Sequence, residues 1–441
     1  MKFYNRETEI GTLRKMRDMA YTEHSKLTVV TGRRRIGKTS LIRRAFDDER
    51  FIYLFVGRKT ESSLCAGFVR EIAEKLSLFV PAMEHFADVF RFLMEQGRTR
   101  KFTLVIDEFQ EFLDVNSSVY SDIQNCWDEY RTMTNVNFIV SGSVYSLMVK
   151  IFKDRKEPLF GREDRMLKLQ PFTTEVLKRI MQDYNAGYSH DDLLALYTFT
   201  GGVPKYVELL VDNKALSIEA MIDYITHPDS PFKDEGKNLL IEEFGKKYAT
   251  YFSILDCIAM GVNTQSAIEA ALADKSIGGQ LCKLEDTYEV IRKMRPILAK
   301  PRSQTVKYCI SDIFLRFWFR YFERNRALIE IGNHVALKKI IHDDYATYSG
   351  LILEQYFIEK MKESLAYIDI GSYWEFKKGK EQNEIDIVGL SIEKGKAVAI
   401  EVKRQRKNFA PQLFAEKVQH LKTAVLPHYD IEMCCLTLED M

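Results

Sequence analysis

The sequence predicts an α/β fold, a parallel sheet covered on both faces by helices. Three observations predict it. The stretch Gly32-Arg33-Arg34-Arg35-Ile36-Gly37-Lys38-Thr39 fits G-x-x-x-x-G-K-[ST]. It lies between an apolar, β-branched run over residues 27–31 and a helical apolar pattern, Leu41, Ile42, Ala45 and Phe46. A second apolar run, over residues 102–106, ends in Asp107-Glu108. Further apolar runs at 51–56 and 137–143 alternate with helical patterns at 64–76 and 83–94, the order that builds a parallel sheet.

The first stretch carries phosphate chemistry. Two glycines let the backbone curl so that its N–H groups point inward at a phosphate, and the following helix N-terminus favours an anion. Gly32, Arg35, Ile36, Gly37, Lys38, Thr39 and Ser40 are the expected nucleotide contacts. Lys38 is placed to reach the β- and γ-phosphates and Thr39 to give a hydroxyl to Mg²⁺. The second strand lifts Asp107 to its tip, where a carboxylate can bind the Mg²⁺ shell directly or through water. Glu108 is placed to orient and deprotonate an attacking water. Ser141 and Ser143, at the end of the next strand, are candidates to sense a γ-phosphate or to cap a helix. Arg155, Arg162 and Arg165 lie in a charged segment, 153–168, that reads as a solvated loop or as the source of an arginine finger.

Composition bounds the rest. The length of 441 residues gives a prior of about three domains. A hydrophobic content of 46% is ample for buried cores, and a net charge of +1 excludes a global basic signature. Any nucleic-acid surface must be local. Seven cysteines without a CxxC framework argue for reduced thiols and a cytoplasmic chain. No apolar run reaches membrane-spanning length, so no membrane partner is expected.

Residues 3–19 read as a short lead-in and then an amphipathic helix with Leu13, Met16 and Ala20 inward. From Pro171 a helical region runs to about residue 234, broken by Thr200-Gly201-Gly202-Val203-Pro204, a glycine turn with proline at a helix start. The segments Tyr4-Asn5-Arg6-Glu7, Gly32–Thr39, Ile106-Asp107-Glu108-Phe109, Ser141-Gly142-Ser143 and Gly201-Gly202-Val203-Pro204 occur in that order. Together they resemble the archaeal-type P-loop ATPases, relatives of the AAA+ and STAND NTPases. The resemblance implies ATP or ADP with Mg²⁺ as cofactors and a nucleotide core followed by a helical lid. It also implies that the turn at Pro204, and Tyr4 to Arg6, border the bound base.

The second half is consistent with that resemblance. Helical pieces at 254–260, 264–273 and 279–284, then a strand-like pair at 297–298 and 306–310 around Pro301-Arg302-Ser303-Gln304, read as a winged helix. Such a module binds DNA or docks a protein. Arg292, Lys293, Arg295, Lys300, Arg302 and Lys307 cluster on its wing side. The aromatic stretch 312–322 reads as core. Beyond it, Glu354 in a helical pattern, Asp386 in a strand, and Glu401-Val402-Lys403 in the next strand look like the PD-(D/E)xK nuclease signature. Asp386 and Glu401 would hold a divalent metal, and Lys403 would stabilise charge on the phosphodiester. Lys377, Lys378, Lys380, Arg404, Arg406 and Lys407 supply basic company suited to a polyanion.

The expected organisation is a P-loop ATPase core at 1–168, a helical lid at 169–235, a winged helix at 236–311, and a restriction-endonuclease-like α/β domain at 312–441. Expected partners are ATP, double-stranded DNA, and a protein partner or second copy of the chain. The competing expectation is a nucleotide-dependent protein-interaction switch whose C-terminal domain does not cut.

Overall fold

The computed structural model describes the chain except residues 48–50, 246–247, 274–275, 300–305 and 378–379, and the side chains of 376–381. It divides into two compact units, Phe3–Gln170 and Pro171–Met441, the latter with Met1–Lys2.

The first unit runs α1 (Glu7–Thr22), β1 (Lys26–Thr31), α2 (Lys38–Ala45), β2 (Ile52–Phe55), α3 (Glu61–Leu76), α4 (Phe86–Gln96), β3 (Lys101–Asp107), α5 (Phe112–Val115), α6 (Val119–Tyr130), β4 (Asn135–Gly142), α7 (Tyr145–Lys153) and β5 (Arg165–Lys168). All five strands are parallel, in the order β2-β3-β4-β1-β5. Every residue of β1 is buried, because helices cover both faces of a parallel sheet. Leu54, Leu104, Phe138 and Val140 face a core built with α3, α4 and α6. Val30, Val105 and Ile139 face the opposite core with Leu13, Leu41 and Ile42. The segment 153–168, read as a solvated loop or the source of an arginine finger, supplies an edge strand, β5, whose partner among the described residues is β1.

The second unit begins with α8 (Thr174–Tyr184), α9 (His190–Thr200), α10 (Pro204–Asp212), α11 (Ile218–Thr226) and α12 (Phe232–Phe244). Helix α9 opens with a Ser189/Asp192 capping box and closes on Gly201, with φ 57°. Gly202 follows at φ 72°, and a Cβ there would meet Phe172 O at 2.7 Å, so the turn accepts only glycine. Pro204 then occupies the first turn of α10.

Next come α13 (Tyr248–Ala259), α14 (Gln265–Ala271), α15 (Gly278–Cys282), β6 (Ile291–Met294) and β7 (Lys307–Ile310). This is the helix order and antiparallel ribbon of a winged helix. The first ribbon strand is 291–294, not 297–298. Ile297 instead packs against the C-terminal sheet and donates its N–H to Ser372 O at 2.9 Å. The expected turn Pro301–Gln304, with Lys300 and Arg302, lies outside the described residues.

The chain ends with α16 (Ile313–Trp318), α17 (Arg326–Glu330), the 30-residue α18 (His334–Glu363), β8 (Tyr367–Lys377), β9 (Lys380–Ser391), β10 (Lys396–Val402), α19 (Pro411–Ala424) and β11 (Asp430–Leu436). The sheet order is β11-β10-β9-β8, antiparallel through β8-β9-β10 and parallel between β10 and β11. The aromatic stretch is core: Phe314, Phe317, Trp318, Phe319, Tyr321 and Phe322 are all buried. Helix α18 ties the unit together. Tyr345 OH donates to Asp191 Oδ1 at 3.0 Å, Glu363 accepts both Thr174 N (2.9 Å) and Thr174 Oγ1 (2.7 Å), and Arg404 pairs with Asp191 at 2.6 Å. Among the described residues no helix is long and apolar enough to cross a membrane. All seven cysteines are free thiols.

Gly236, inside α12, supports the Trp318 indole. An added Cβ would lie 2.2 Å from the ring, and that ring is 1% exposed and donates Nε1–H to Lys233 O at 2.7 Å. Alanine gains roughly 0.5–1 kcal/mol of helix preference over glycine, but overpacking a fixed core costs about 1–3 kcal/mol. Gly236→Ala is therefore expected to lower the thermal midpoint by several degrees. A midpoint at or above that of the parent, measured by circular dichroism, would contradict this packing.

Candidate active sites

The loop between β1 and α2 curls as its sequence requires. Gly32 (φ 147°), Arg35 (φ 67°) and Gly37 (φ 92°) take the positive-φ conformations that reverse the chain. A Cβ on Gly32 would press on Leu169 O at 3.0 Å. Ile36 is buried at 1% exposure and anchors the loop to the core of Leu13 and Leu41. Gly37 caps α2, so Lys38 and Thr39 sit in its first turn, with Ser40 exposed beside them. The Lys38 ammonium is held inside the curl by Gly32 O (2.9 Å) and Arg33 O (3.3 Å).

Asp107 lies opposite Thr39 and is 3% exposed. A carboxylate this buried needs donors on every side, and it has them. Oδ2 accepts Thr39 Oγ1 at 2.9 Å and the Tyr53 hydroxyl; Oδ1 accepts the Ser141 hydroxyl and Glu108 N at 3.0 Å. The four acceptor directions of the group are thus occupied. Asp107 in turn pushes the Tyr53 phenol well above its ordinary pKa, after burial, the larger cause. The Thr39 hydroxyl spends its proton on Asp107, which leaves its lone pairs for a cation. The donor set fits Mg²⁺ bound through Thr39 with the carboxylate behind it.

Glu108 adopts the left-handed region at φ 55°, a conformation that costs a non-glycine residue about 1–2 kcal/mol. Its side chain is fixed there by Gln110 Nε2 (2.6 Å), Ser143 Oγ (2.7 Å) and Ser143 N (3.3 Å). Ser141 and Ser143 are therefore partners of the two acids. Among the arginines, Arg162 is engaged with Asp128 at 2.7 Å and Arg165 opens β5. Pro204 lies in the other unit, at the start of α10.

The C-terminal constellation also assembles. Asp386 Oδ2 accepts Val402 N at 2.7 Å. Lys403 Nζ lies 3.0 Å from Glu401 Oε1 and 3.6 Å from Asp386 Oδ2. Lys417 of α19, which sequence reasoning missed, approaches Glu401 at 3.5 Å. Burial raises the Asp386 carboxyl and Glu401 adds to it, while the Val402 N–H and the lysines oppose. Burial works against the Lys403 ammonium, but the Glu401 hydrogen bond and nearby acids carry it above its ordinary value. Glu354 on α18 is pushed up to about 8, by burial first and then by Asp386 and Glu384. Among the described residues no three acids, histidines or cysteines already converge as a metal cage; a lysine holds the central position between Asp386 and Glu401. Two expected polyanion contacts are committed elsewhere: Arg404 to Asp191 (2.6 Å) and Arg406 toward Asp440 (3.7 Å). The side chains of Lys377, Lys378 and Lys380 lie outside the described residues.

A curled glycine loop heading a helix, with a buried Asp-Glu pair at a neighbouring strand tip, defines the first unit as an α/β P-loop domain. Residues 3–210 match the family described as an ATPase domain predominantly from Archaea. The first unit and the start of the second are thus similar to archaeal ATPase domains of this kind. Residues 318–413, which hold Asp386, Glu401 and Lys403, match a second family, described as archaeal and bacterial proteins of unknown function. The chain is 29% identical over 410 residues to an uncharacterized protein of Methanocaldococcus jannaschii, across 91% of this chain and 87% of the relative. Its fold is similar to that of the Walker-type ATPase of Pyrococcus abyssi, with TM-score 0.53 and 20% identity over 72% of this chain and 96% of that one.

Glu354 makes the stability of the metal-free protein fall with pH. Its native pKa of about 8 lies above the ordinary 4.5, so between those values the folded state binds the extra proton and rising pH favours unfolding. Glu354→Gln copies the protonated form. Its thermal midpoint, relative to the parent's, is expected to rise from about pH 5 to about pH 8 and then level off. Parallel curves for the two proteins would remove the basis for this assignment.

Proposed function

We propose that this chain hydrolyses ATP at its N-terminal site with Mg²⁺, and that its C-terminal domain is a metal-dependent nuclease acting on DNA. The observation that carries the first part is the pairing of Asp107 with Thr39 beside a Glu108 fixed by Gln110 and Ser143. The loop N–H groups and Lys38 bind the β- and γ-phosphates. Thr39, oriented by Asp107, would hold Mg²⁺, which would neutralise charge on the phosphates. Glu108 accepts the proton of the attacking water. Tyr4 to Arg6 border the base.

The nuclease reading is supported by the α18-β8-β9-β10-α19-β11 order and by Lys403 touching both Asp386 and Glu401. Asp386 and Glu401 would hold a divalent cation, which supplies polarisation of the phosphodiester. Lys403 would then move from the acids to the developing negative charge. One observation favours the second reading, a nucleotide-dependent protein-interaction switch. The Glu401 charge is already balanced by Lys403 and Lys417, as suits a nuclease-like domain that recognises without cutting.

The test is ATP turnover with and without DNA, in Mg²⁺ and in Mn²⁺, with the DNA followed for nicks. Lys38→Ala is expected to abolish nucleotide binding. Glu108→Gln is expected to keep binding and lose about 10²–10⁴-fold in turnover. Asp386→Ala is expected to remove nicking and leave ATP turnover unchanged. Absence of nicking throughout would favour the switch; nicking that survives Asp386→Ala would refute the assignment of Asp386; full turnover in Glu108→Gln would refute the hydrolytic assignment.

A further inference from the structure

A cavity of ≈ 500 Å³ lies within the 171–441 unit, between the winged-helix ribbon, the aromatic helix, α18 and the C-terminal sheet. Its lining brings together opposite charges from different elements. Arg292 and Lys307 come from the ribbon, and Arg316 and Arg324 from α16 and the turn beyond it; Glu354, Glu384 and Asp386 come from α18 and β9. Arg320 lines it too, but is neutralised by Asp344 at 2.7 Å.

The cavity wall also collects buried polar atoms without hydrogen-bond partners among the described residues. They are Arg292 Nε, Arg316 Nη2, Tyr348 OH and Trp374 Nε1. Tyr348 is 5% and Trp374 3% exposed. All four atoms can donate a hydrogen bond. Buried donors in folded proteins are almost always satisfied, by protein groups, water or a ligand, and a cluster of four along one cavity suits an acceptor-rich occupant. Two of the four belong to guanidinium groups: Arg292, whose Nη2 donates to Gln355, and Arg316, whose Nε donates to Ile310 O at 2.5 Å, so each brings one remaining N–H donor suited to a phosphate oxygen. The volume is that of a pocket for a compact ligand, with room for about one or two nucleotides and none for a duplex.

We propose that this cavity receives the phosphates of a single-stranded DNA end, gripped by Arg292 and Arg316 and led toward Asp386. Its position beside the acids rests on the nuclease reading above; the grip itself does not. The strand enters past Arg324, which is exposed, and its backbone meets the donors in turn.

The test is fluorescence anisotropy of the full chain with a labelled oligothymidylate and with a blunt duplex. Ca²⁺ replaces Mg²⁺, and the salt concentration is varied. The single strand is expected to bind more tightly than the duplex. Arg292→Gln, which keeps a partner for Gln355, is expected to weaken strand binding about tenfold and to lower the salt slope by about 0.7. Arg324→Gln, at an exposed position with little bearing on folding, is expected to act in the same direction. Thymidine monophosphate is expected to compete poorly. Equal affinity for duplex and strand, unchanged binding in both variants, or displacement by the mononucleotide at matching concentration would each overturn the proposal. Arginine-dependent strand binding with no cleavage in Mg²⁺ or Mn²⁺ leaves it standing and removes the nuclease reading. Cleavage that Arg292→Gln does not alter, with unchanged strand affinity, does the reverse.

Discussion

A charged carboxylate in a protein interior survives only when donors replace the water it has lost. Asp107 meets that condition, and the geometry of the N-terminal domain follows from how it does so. Its partners come from β2, from β4, from the first turn of α2 and from the next residue in its own chain. One side chain therefore fixes the phosphate-loop helix against strands that the sheet order separates, since β4 stands between β1 and β3. The same contacts set the direction of the backbone at Glu108, and so the position of the second acid.

Much of this was legible in the sequence because its physical cause is local. A central parallel strand is buried on both faces and reads as an unbroken apolar run, which is why β1, β3 and β4 stand out. The glycine loop and the Gly201-Gly202 turn stand out because positive φ demands glycine at those positions. The elements that escaped share the opposite property. Strand β5 has four residues, partly exposed, and pairs with β1 at the sheet edge, so no periodicity marks it. Strand β6 is masked in the sequence by Ile297 and Leu298, which resemble strand residues, whereas Ile297 serves the neighbouring sheet.

The sites divide in the same way. Lys38, Thr39, Asp107 and Glu108 follow from spacing along the chain. Tyr53 does not, because a tyrosine in an apolar strand is ordinary until the register sets Phe55 beside Asp107 and brings the hydroxyl within reach. Lys417 is one of several helix lysines, and only the packing of α19 turns it toward Glu401. Arg404 shows the converse: its neighbours suggest a polyanion, and its actual partner is Asp191, 213 residues away in the chain.

Arg404 immediately follows Lys403, and it clasps Asp191 at the start of α9 while also reaching Ser349 on α18. Helix α18, about 45 Å long at 1.5 Å per residue, carries Glu354 in its second half and grips Thr174 at its far end. The helices after Pro171 and the carboxylate cluster at Asp386 are consequently mounted on one beam. A torque applied to α8 or α9 cannot be absorbed by a hinge between them and that cluster without breaking these clasps, so the acids travel as cargo with the helices rather than as an independently tethered tool.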